Sequence, residues 1–476
     1  MKVNKKILNS CKIVATLGLN SEDMIEKMLL AGVSVFRINL SHATLKEAEE
    51  KVNFLRLLEK KYNKSIGIFL DLQGPKLRVG TFINGAVNLK AGQIFNLDLN
   101  AEPGNSERAE LPHPEVFAAA KNGMRVLFND GLISSTVLEV TPTNLKLKIV
   151  NGGVLTDNKG VNIPDVLLPV SALTLKDTEI IKEANNLEID WFALSFIQKP
   201  EDILQARKLI SPSIGIIGKI EKPQALENLE SIISLCDAVL IARGDLGVEL
   251  SAERVPLIQR QIVEMCRQSS RPVIVATQML ESMIYSPRPT RAETSDVASA
   301  VYEGADAVML SAETAVGKYP LEAVKTMRRI ITVVESDPSF ISYMRNTSKH
   351  FKALTPASAL AKAAGDVANF MDTADLIVNF TAGGITTIRT AAFRPCLPIF
   401  SLTPFSETAR KMTLVCGAHP KVIKTRLKHF EDIETEIFNV LKQAKLATKG
   451  LQVVVTAGIP FGKTGDTNLL YILALP

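Results

Sequence analysis

The chain of 476 residues has few cysteines and few histidines, and neither type is clustered. The cysteines are odd in number and never have the Cys-x-x-Cys spacing: Cys11, Cys236, Cys266, Cys396 and Cys416. This distribution excludes a disulfide framework and a zinc site, and it predicts free thiols in a reducing cytoplasm. The five histidines also lack the spacing of metal ligands.

Long uniform runs are missing as well. No apolar run approaches the roughly 18 residues that a membrane-spanning helix needs, so we expect no membrane span. The net charge of +5 comes from 55 basic and 50 acidic residues, without long blocks of one sign. This balance weighs against nucleic acid or a membrane as a partner. The lysine-rich start leads into Lys12–Thr16, which is typical of a strand rather than of a signal peptide.

What the chain does contain is an alternation of short apolar runs with longer helical patterns. Its length predicts roughly two to four domains, and its composition is that of an ordinary soluble globular protein. Eight runs are interpreted as strands: Cys11–Gly18, Val33–Ser41, Ser65–Leu72, Trp191–Phe196, Ile214–Glu221, Ala238–Leu246, Arg271–Gln278 and Ala305–Ser311. The alternation indicates β/α units around a parallel sheet, and eight such units form a closed (β/α)8 TIM barrel.

Two of the intervening helices carry start signals. Thr44 and Glu47 have the capping-box spacing at the beginning of a helix predicted over Thr44–Tyr62. Pro320 lies in the first turn of a helix predicted to continue to about Val334. Both helices follow a predicted strand, as a barrel of this type requires.

A long stretch separates the third and fourth runs, and its pattern changes to alternating strands with Gly, Pro and Asn turns. Strands are predicted at Val79–Asn88, Ile94–Leu99 and Lys146–Val154. We interpret residues 73–169 as a small all-β domain inserted into the barrel and placed to close over its mouth as a lid. The catalytic barrel then comprises residues 1–72 and 170–345.

Residues 346–476 return to an alternation of helix and strand. A helix is predicted over Ala357–Phe370, and strands over Leu376–Phe380, Pro398–Leu402 and Leu451–Ala457. We interpret this region as an open α/β domain. The predicted fold class is therefore α/β, with a TIM barrel, an inserted all-β lid domain and a C-terminal α/β domain.

Polar residues collect at the carboxyl ends of the predicted barrel strands, where the active sites of such barrels lie. In strand order they are Thr16, Arg37, Asn39, Ser41, His42, Asp71, Ser195, Lys219, Glu221, Arg243, Asp245, Thr277, Gln278, Ser311 and Glu313. A single polar strand end is explained by contact with solvent. Polar ends on all eight strands indicate a site.

Glu221 and Asp245 end neighbouring predicted strands, so their carboxylates are candidates to hold one hard cation together. Mg²⁺ prefers such oxygen ligands and keeps water or substrate oxygens in its other positions. The alternative is that both carboxylates form salt bridges with Lys219 and Arg243, and that no metal binds.

Four further residues at the strand ends have candidate roles. Lys219 and Arg37 are suited to neutralise a phosphoryl group during its transfer. Gly244 lets a backbone approach a ligand closely, and the turn after it is a candidate carboxylate site. The Thr277 hydroxyl is a candidate proton relay, or alternatively only caps its strand.

Two loops near the C-terminal end of the chain resemble phosphate-binding loops. The segment Gly458–Thr464 has three residues between its glycines, one fewer than a P-loop, so it is not a Walker A site. The loop Thr381–Thr387 joins a strand to a helix start and offers hydroxyls and free N–H groups to a phosphate. Turn formation alone explains such a loop equally well.

Taken together, these segments resemble the pyruvate kinase family nearly from end to end. The longest matching signature comprises Ala276–Met283, Pro287–Glu293, Met309–Ala315 and Tyr319-Pro320. Four shorter segments match the active-site segments of the family: Phe36–His42, Leu70–Pro75, Lys219–Glu221 and Ala242–Val248. The resemblance implies transfer of a phosphoryl group from phosphoenolpyruvate to ADP. The products would be ATP and an enolate that is protonated to pyruvate.

The resemblance also implies roles for individual residues. Lys219 would stabilise the transferring phosphoryl group and the enolate, and Arg37 would contact the phosphate. Glu221 and Asp245 would hold Mg²⁺, or Mn²⁺ in its place. The positions that would face the nucleotide or its phosphates are Asn39, Ser41, His42, Arg78 and Lys199.

The same resemblance extends to the substrate pocket and the assembly. Gly244, Asp245 and Thr277 would hold the pyruvate part of the substrate, with Thr277 near the path of proton delivery. The inserted domain would exclude water, which otherwise competes for the phosphoryl group. The C-terminal domain would bind an effector, and the assembly would be a cytoplasmic homotetramer that acts in glycolysis.

One segment departs from the family pattern. Many members read Asp-Thr-Lys-Gly-Pro-Glu here and need K⁺ beside the phosphate, where Asn39, Ser41 and Asp71 would supply ligands. In this chain Leu72 replaces the threonine and Lys76 replaces the glutamate. A lysine ammonium supplies the positive charge that a bound cation would otherwise supply. We therefore predict little or no requirement for K⁺ and a vestigial K⁺ site, in which Asp71 is free to pair with Lys76.

The effector and two rival functions stay open at this point. Candidate effector residues are Thr381, Gly384, Thr386 and Thr387, with the loop Gly462–Thr467 beside them. Several residues differ from the pattern that binds fructose-1,6-bisphosphate, so a sugar monophosphate, AMP or a bisphosphate is a candidate. One rival is another Mg²⁺-dependent barrel enzyme acting on a phosphorylated enol or aldol substrate. The other is a catalytically silent ligand sensor, which would be expected to lose Lys219 or a metal carboxylate.

Overall fold

The structure is a computed structural model that describes residues 10–164, 171–351, 355–371, 373–424, 429–460 and 467–475. Its first elements are β1 (Lys12–Leu17), a 3-10 helix (Leu19–Met24), α1 (Ile25–Leu30), β2 (Val33–Asn39), α2 (Leu45–Tyr62) and β3 (Gly67–Asp71). The predicted capping box is confirmed. Thr44 donates its N–H to the Glu47 carboxylate at 2.7 Å, and Glu47 donates its N–H to the Thr44 hydroxyl at 3.3 Å. These bonds fix the start of α2 shortly after β2.

An all-β segment follows β3. Its described elements are β4 (Ala86–Leu89), β5 (Ile94–Asp98), β6 (Arg108–Glu110), α3 (Pro114–Ala119), β7 (Arg125–Phe128), β8 (Ile133–Thr141), β9 (Asn144–Asn151), β10 (Gly153–Thr156) and β11 (Val161–Asn162). Six strands form one sheet in the order β11-β7-β8-β9-β5-β6, and β10 pairs with β4. Buried side chains of this segment, including Phe95 and Phe128, form a hydrophobic core of their own.

Two strand predictions in this segment are wrong in their bounds. Only the last residues of Val79–Asn88 form a strand, because Gly85 turns the chain with a φ of +71° just before β4. The run Lys146–Val154 is divided at Gly152 between β9 and β10. A Cβ atom at Gly152 would lie 2.3 Å from the Leu89 carbonyl oxygen, so only glycine permits this approach.

The barrel resumes after the inserted segment. Its elements are α4 (Leu175–Ala184), β12 (Trp191–Leu194), α5 (Pro200–Leu209), β13 (Gly215–Ile220), α6 (Pro223–Glu227), α7 (Leu229–Leu235), β14 (Ala238–Ala242), α8 (Arg243–Glu249), α9 (Val255–Gln268), β15 (Val273–Ala276), α10 (Arg291–Glu303), β16 (Ala307–Leu310), α11 (Ala312–Ala315) and α12 (Pro320–Glu335). Short 3-10 helices lie at Ala252–Arg254 and Glu281–Ile284. Eight parallel strands close in the order β1-β16-β15-β14-β13-β12-β3-β2, which confirms the predicted barrel.

The strands of the barrel are covered on both faces, as a parallel sheet requires. Every residue of β13 and β14 is buried. Phe69 and Trp191 help to fill the barrel interior, and Leu414 from the C-terminal region joins the same cluster. The sixth strand is shorter than predicted, because it ends at Ala242 and Arg243 begins α8. The first turn of a helix, rather than a strand, therefore carries Asp245.

A second α/β unit follows the barrel. Its described elements are α13 (Pro338–Lys349), α14 (Pro356–Phe370), β17 (Ala374–Phe380), α15 (Ile385–Ala392), β18 (Ile399–Thr403), α16 (Ser406–Met412), β19 (Ala418–Val422), α17 (Asp432–Gln443), β20 (Gln452–Ala457) and β21 (Leu469–Ala474). The sheet order is β19-β18-β17-β20-β21, and β21 is antiparallel to β20. The predicted open α/β domain is confirmed. Strand β19 was missed because His419, Pro420 and Lys421 make it polar.

The C-terminal unit is joined to the barrel by ion pairs, one half-buried and one buried. Arg410 of α16 lies 2.9 Å from Glu59 of α2, and Arg394 lies 3.0 Å from Asp306. Within the described ranges, no helix combines the length and the apolar character that a bilayer crossing requires.

Candidate active site

Charged side chains meet at the carboxyl ends of β2, β3 and β13. Arg37 belongs to β2, Asp71 ends β3, and Lys219 lies in β13 with Glu221 directly after the strand. Because the barrel strands are parallel, these ends share one face of the barrel. Asp71, Lys219 and Glu221 are buried there. Burial strengthens their mutual electrostatic interactions.

Lys219 is the centre of this cluster. Its ammonium lies 2.8 Å from a carboxylate oxygen of Glu221 and 3.2 Å from one of Asp71, and it donates to the Ser195 hydroxyl at 2.8 Å. Burial lowers the pKa of Lys219, but Asp71 and Glu221 outweigh burial and raise this pKa above its ordinary value. Lys219 is therefore a fixed cation at neutral pH.

Asp71 links Arg37 to the same cluster. Two nitrogens of Arg37 lie 2.7 and 2.6 Å from Asp71 Oδ2, and a third donates to the Thr16 hydroxyl at 3.1 Å. Burial raises the pKa of Asp71, but Lys219 and Arg37 more than offset this effect, so the pKa lies below its usual value. One buried carboxylate thus holds two cations beside each other.

Glu221 and Asp245 offer two carboxylates to a cation. Glu221 Oε2 accepts the Phe196 N–H at 2.8 Å, and Asp245 is half-buried in the first turn of α8. Burial raises the pKa of Glu221; Lys219 opposes this effect and Asp245 adds to it. A divalent cation between the carboxylates would relieve their repulsion. The pair fits Mg²⁺, which keeps most of its ligands as water and substrate oxygens.

This candidate metal site has only two protein carboxylates. Across the residues with described positions, no group of three or more His, Cys, Asp or Glu side chains is arranged around a common metal position. Arg243 pairs at 2.6 Å with Asp296 of α10 rather than with Asp245. In the described ranges, the Asp245 carboxylate has neither an ion pair nor a hydrogen bond, so it is available to a ligand.

Thr277 has a strained backbone at the end of β15. Its φ is +69° and that of Gln278 is +52°, a region that β-branched residues rarely adopt. Arg243 holds this turn by donating to the Thr277 carbonyl at 2.7 Å and to the Ala276 carbonyl at 3.3 Å. The Thr277 hydroxyl accepts the Gly244 N–H at 2.7 Å. These bonds tie the first turn of α8 to the end of β15.

The residues expected to face the nucleotide come from three parts of the chain. Asn39 ends β2, and its side-chain oxygen accepts the Ser41 N–H at 3.1 Å. Ser41 and His42 are exposed in the turn that follows. Arg78 donates to a backbone carbonyl of the inserted segment at 2.8 Å. Lys199 is exposed directly before α5.

Lys76 contacts the inserted segment. Its ammonium lies 4.0 Å from an Asp130 carboxylate oxygen. The expected pairing of Asp71 with Lys76 is wrong, because the two oxygens of Asp71 face Arg37 and Lys219. These two cations project from β2 and β13 into the buried cluster that contains Asp71, whereas Lys76 follows the last barrel residue of β3.

The predicted effector loop connects β17 to α15. Gly384 has a φ of +85°, and its N–H donates to the Thr381 hydroxyl at 2.9 Å. Thr386 and Thr387 are buried; Thr386 bonds to the Thr467 hydroxyl at 2.7 Å, and Thr387 donates to a serine of β18 at 3.0 Å. These two hydroxyls are therefore occupied by hydrogen bonds that stabilise the C-terminal unit. A phosphate at this loop would instead meet backbone N–H groups at the start of α15.

Two of the predicted loops share residues that have no described position, and two groups near Lys219 and Glu221 had no predicted role. Residues 461–466 of the P-loop-like segment and of the second effector loop lie outside the described residues. Ser195 accepts from Lys219 and donates to the Leu72 carbonyl at 2.8 Å, a role for which its strand-end position was the only signal. Phe196 acts through its backbone N–H, which leaves no signal in the residue type.

Comparison with known proteins gives consistent matches over nearly the whole chain. Residues 8–324 match the family described as "Pyruvate kinase, barrel domain", and residues 358–473 match "Pyruvate kinase, alpha/beta domain". A pyruvate kinase of Methylorubrum extorquens is 43% identical over 97% of this chain and 96% of that protein. A pyruvate kinase of Thermotoga maritima is 40% identical over 98% and 99%. The crystal structure of a pyruvate kinase from Cryptosporidium parvum superposes with a TM-score of 0.93 at 30% identity, covering 100% of this chain and 98% of that one.

Proposed function

The chain belongs to the pyruvate kinase family, and we propose that five residues at the barrel mouth carry its reaction: Arg37, Lys219, Glu221, Asp245 and Thr277. A pyruvate kinase transfers the phosphoryl group of phosphoenolpyruvate to ADP and yields pyruvate and ATP. The observation that carries the residue assignment is the buried Lys219 ammonium, held by two carboxylates and a hydroxyl. A charge fixed in a partly desolvated site stabilises developing negative charge better than the same charge in water.

Lys219 and Arg37 act on the group that is transferred. The bond from the phosphorus to the enol oxygen breaks, and a bond from the phosphorus to a terminal oxygen of ADP forms. Lys219 neutralises charge on the phosphoryl oxygens and then on the enolate oxygen. Asp71 orients the Arg37 guanidinium, whose remaining N–H groups are free to contact the phosphate.

Glu221 and Asp245 hold the divalent cation, Mg²⁺ or Mn²⁺. When bound, such an ion supplies positive charge beside the phosphoryl oxygens and orients them. The protein's part is to fix the two carboxylates. The Phe196 N–H holds Glu221, and the first turn of α8 holds Asp245.

Gly244, Asp245 and Thr277 bind the pyruvate part of the substrate. A Cβ atom at Gly244 would lie 3.5 Å from the Thr277 hydroxyl, which is an ordinary contact. Packing therefore does not require glycine here, whereas close approach of a ligand to the backbone does. The Thr277 hydroxyl lies near the path by which a proton reaches the methylene carbon of the enolate.

The remaining assignments concern the nucleotide, the domains and the assembly. Asn39, Ser41, His42, Arg78 and Lys199 contact ADP or its phosphates. The inserted segment, taken as residues 73–169, closes over the barrel of residues 1–72 and 170–345. Residues 346–476 form the effector domain of a cytoplasmic homotetramer.

A coupled assay of ATP formed from phosphoenolpyruvate and ADP tests the proposal. We expect K219M to lose at least about a thousandfold in kcat, because the charge that stabilises the transferred group is removed. The exposed lysine variant K208M is the matched control and should keep wild-type kinetics. Wild-type rates in a folded K219M would refute the assigned role. A wild-type protein without this activity would favour another Mg²⁺-dependent barrel reaction.

Independence from K⁺ is proposed from Lys76 and Leu72. We expect wild-type turnover in tetramethylammonium buffer to change little on addition of KCl. The variant L72T/K76E restores the hydroxyl and the carboxylate of the K⁺-dependent pattern, so its activity should rise severalfold with KCl. Near-zero wild-type activity that KCl restores would contradict the proposal.

A phosphorylated effector is proposed to bind at the start of α15, on the backbone of Thr381–Thr387. The candidates are a sugar monophosphate, AMP and a sugar bisphosphate, tested at subsaturating phosphoenolpyruvate. We expect one of them to lower the KM for phosphoenolpyruvate. Replacement of Gly384 by alanine should weaken this effect, because its φ is +85° and an added Cβ would lie 2.4 Å from Met412. Absence of any response across the panel would exclude this site.

A further inference from the structure

A buried carboxylate connects the inserted segment to the barrel. Glu249, the last residue of α8, is buried. One of its carboxylate oxygens, Oε1, accepts from the side-chain amide of Asn162 at 2.7 Å and from the Lys222 ammonium at 2.5 Å. Asn162 ends β11 of the inserted segment, whereas Lys222 and Glu249 belong to the barrel. Side chains from both parts of the fold therefore bind the same carboxylate oxygen.

Each barrel partner lies next to a proposed metal ligand. Lys222 directly follows Glu221, and Glu249 ends the short helix whose first turn contains Asp245. The Lys222 ammonium also lies 5.8 Å from the centre of the Phe196 ring. The Phe196 N–H in turn holds Glu221. The ion pair of Lys222 with Glu249 thus links the two backbone segments that carry the metal carboxylates.

The inserted segment also lies close to α8 at Gly131. A Cβ atom on Gly131 would lie 3.5 Å from a methyl group of Val248. Gly131 follows β7, and β7 pairs with β11 through Asn162 and Leu127. Asn162 of β11 and the turn after β7 therefore both lie beside α8.

The second oxygen of the carboxylate is not satisfied. Glu249 Oε2 is buried and has no hydrogen-bond partner among the described residues. A buried carboxylate is costly unless it is paired, so its two donors on Oε1 are needed to keep it in place. Loss of the Asn162 amide, as when the inserted segment moves away, would leave one donor and would weaken the hold on α8.

We propose that Glu249 is a positioning residue that couples docking of the inserted segment to the affinity of the site for a divalent cation. The inference rests on the proposed function, in which Glu221 and Asp245 hold that cation. Docking of Asn162 fixes Glu249 and Lys222, and these fix the separation of the two metal carboxylates. By reciprocity, cation binding that fixes this separation favours docking of the inserted segment.

The test uses a reciprocal exchange of the amide and the carboxylate. N162D places a second carboxylate against Glu249, and E249Q removes the charge that pairs with Lys222. In N162D/E249Q the Gln amide donates to the new carboxylate, which also accepts from Lys222. The matched controls are N151D and E253Q, which make the same changes at exposed positions. If N162D does not fold, N162A removes one donor without adding charge.

Mn²⁺ binding to the substrate-free enzyme, followed by electron paramagnetic resonance, is the primary measurement. We expect N162D and E249Q each to weaken Mn²⁺ binding about tenfold, and the double variant to return to within about threefold of wild type. The KM for phosphoenolpyruvate should rise in the single variants more than kcat falls. In the wild type, Mn²⁺ should slow hydrogen exchange at residues 161–163, and N162D should abolish this protection.

Two results would overturn the inference. One is wild-type Mn²⁺ affinity in folded N162D and E249Q; the other is a double variant that shows only the sum of the two single effects. The variant E221Q separates this failure from failure of the proposed function. If E221Q binds Mn²⁺ as the wild type does, the metal assignment is wrong. If E221Q loses Mn²⁺ while N162D keeps it, only the coupling fails.

Discussion

At the scale of the residue, the charges of the site depend on one another. Lys219 and Asp71 are both buried, and burial alone would favour the neutral form of each. Their pairing reverses this, since the pKa of Lys219 is raised and that of Asp71 is lowered. Because Arg37 shares Asp71 with Lys219, a change to this one carboxylate affects both cations.

The variant D71N should therefore change both the rate and its pH dependence. We expect kcat/KM for phosphoenolpyruvate to fall about a hundredfold, because Arg37 loses its orientation and Lys219 loses a neighbouring charge. Protonated Lys219 is the active form, so activity is lost as pH rises through its pKa. Removal of Asp71 lowers that pKa, and the alkaline limb of the profile should move to lower pH.

The measurement is kcat/KM from about pH 6 to about pH 10, across the range in which a lysine with a lowered pKa would titrate. The exposed aspartate variant D23N serves as the control and should match the wild type. A D71N profile that coincides with the wild-type profile over this range would show that Asp71 does not control the protonation of Lys219.

At the scale of the element, the junction of α8 and β15 shapes the substrate pocket. Sequence patterns predicted the sixth strand through Leu246, because the residues stay apolar up to Ala242 and then contain a glycine. They also predicted a helical turn after Gly244, but they did not reveal that the helix already begins at Arg243, since a seven-residue helix gives a weak signal. The positive φ of Thr277 was equally unpredictable from the sequence, since it depends on hydrogen bonds that Arg243 donates from a different element.

The variant R243K should weaken these hydrogen bonds but keep a positive charge at this position. A lysine cannot reach the Ala276 and Thr277 carbonyls and Asp296 together, as the guanidinium does. We expect kcat to fall about tenfold to a hundredfold through misplacement of the Thr277 hydroxyl. Steady-state kinetics and a melting curve measure the effect, with R254K as the exposed control. A loss of stability without a change in kcat would contradict a role in positioning Thr277.

At the scale of the whole molecule, the C-terminal unit packs against the barrel at the start of β1. Leu414 joins the hydrophobic cluster inside the barrel, and Lys12 of β1 donates to the Ala418 carbonyl of β19 at 2.7 Å. Burial lowers the pKa of Lys12 to about 8, although Cys416 acts in the opposite direction. The interface thus contains a lysine whose charge the fold disfavours.

Stability of the interface should consequently depend on pH through Lys12. Its folded pKa of about 8 lies below the ordinary 10.5, so above pH 8 the unfolded chain binds more protons than the folded one. The contribution of Lys12 to the free energy of unfolding therefore rises with pH. We expect the wild type to gain about 2 kcal/mol relative to K12M between roughly pH 8 and pH 10.

Chemical denaturation at a series of pH values measures this difference, with K46M as the exposed control. Groups that do not interact with Lys12 contribute equally to the wild type and to K12M, so their effects cancel in the difference. A constant difference between the two proteins would show that Lys12 keeps its ordinary pKa in the fold.

The amino-acid sequence by itself determined the barrel, the two further units and the residues at the barrel mouth. Apolar runs and parallel β/α units place the strand ends on one face, whatever the details of packing. Only the tertiary structure decided which of these residues pair. Asp71 binds Arg37 and Lys219 rather than Lys76, and Glu249 meets Asn162 across 87 positions of the chain. Such pairs depend on how separate elements dock, and residue spacing along the chain does not contain that information.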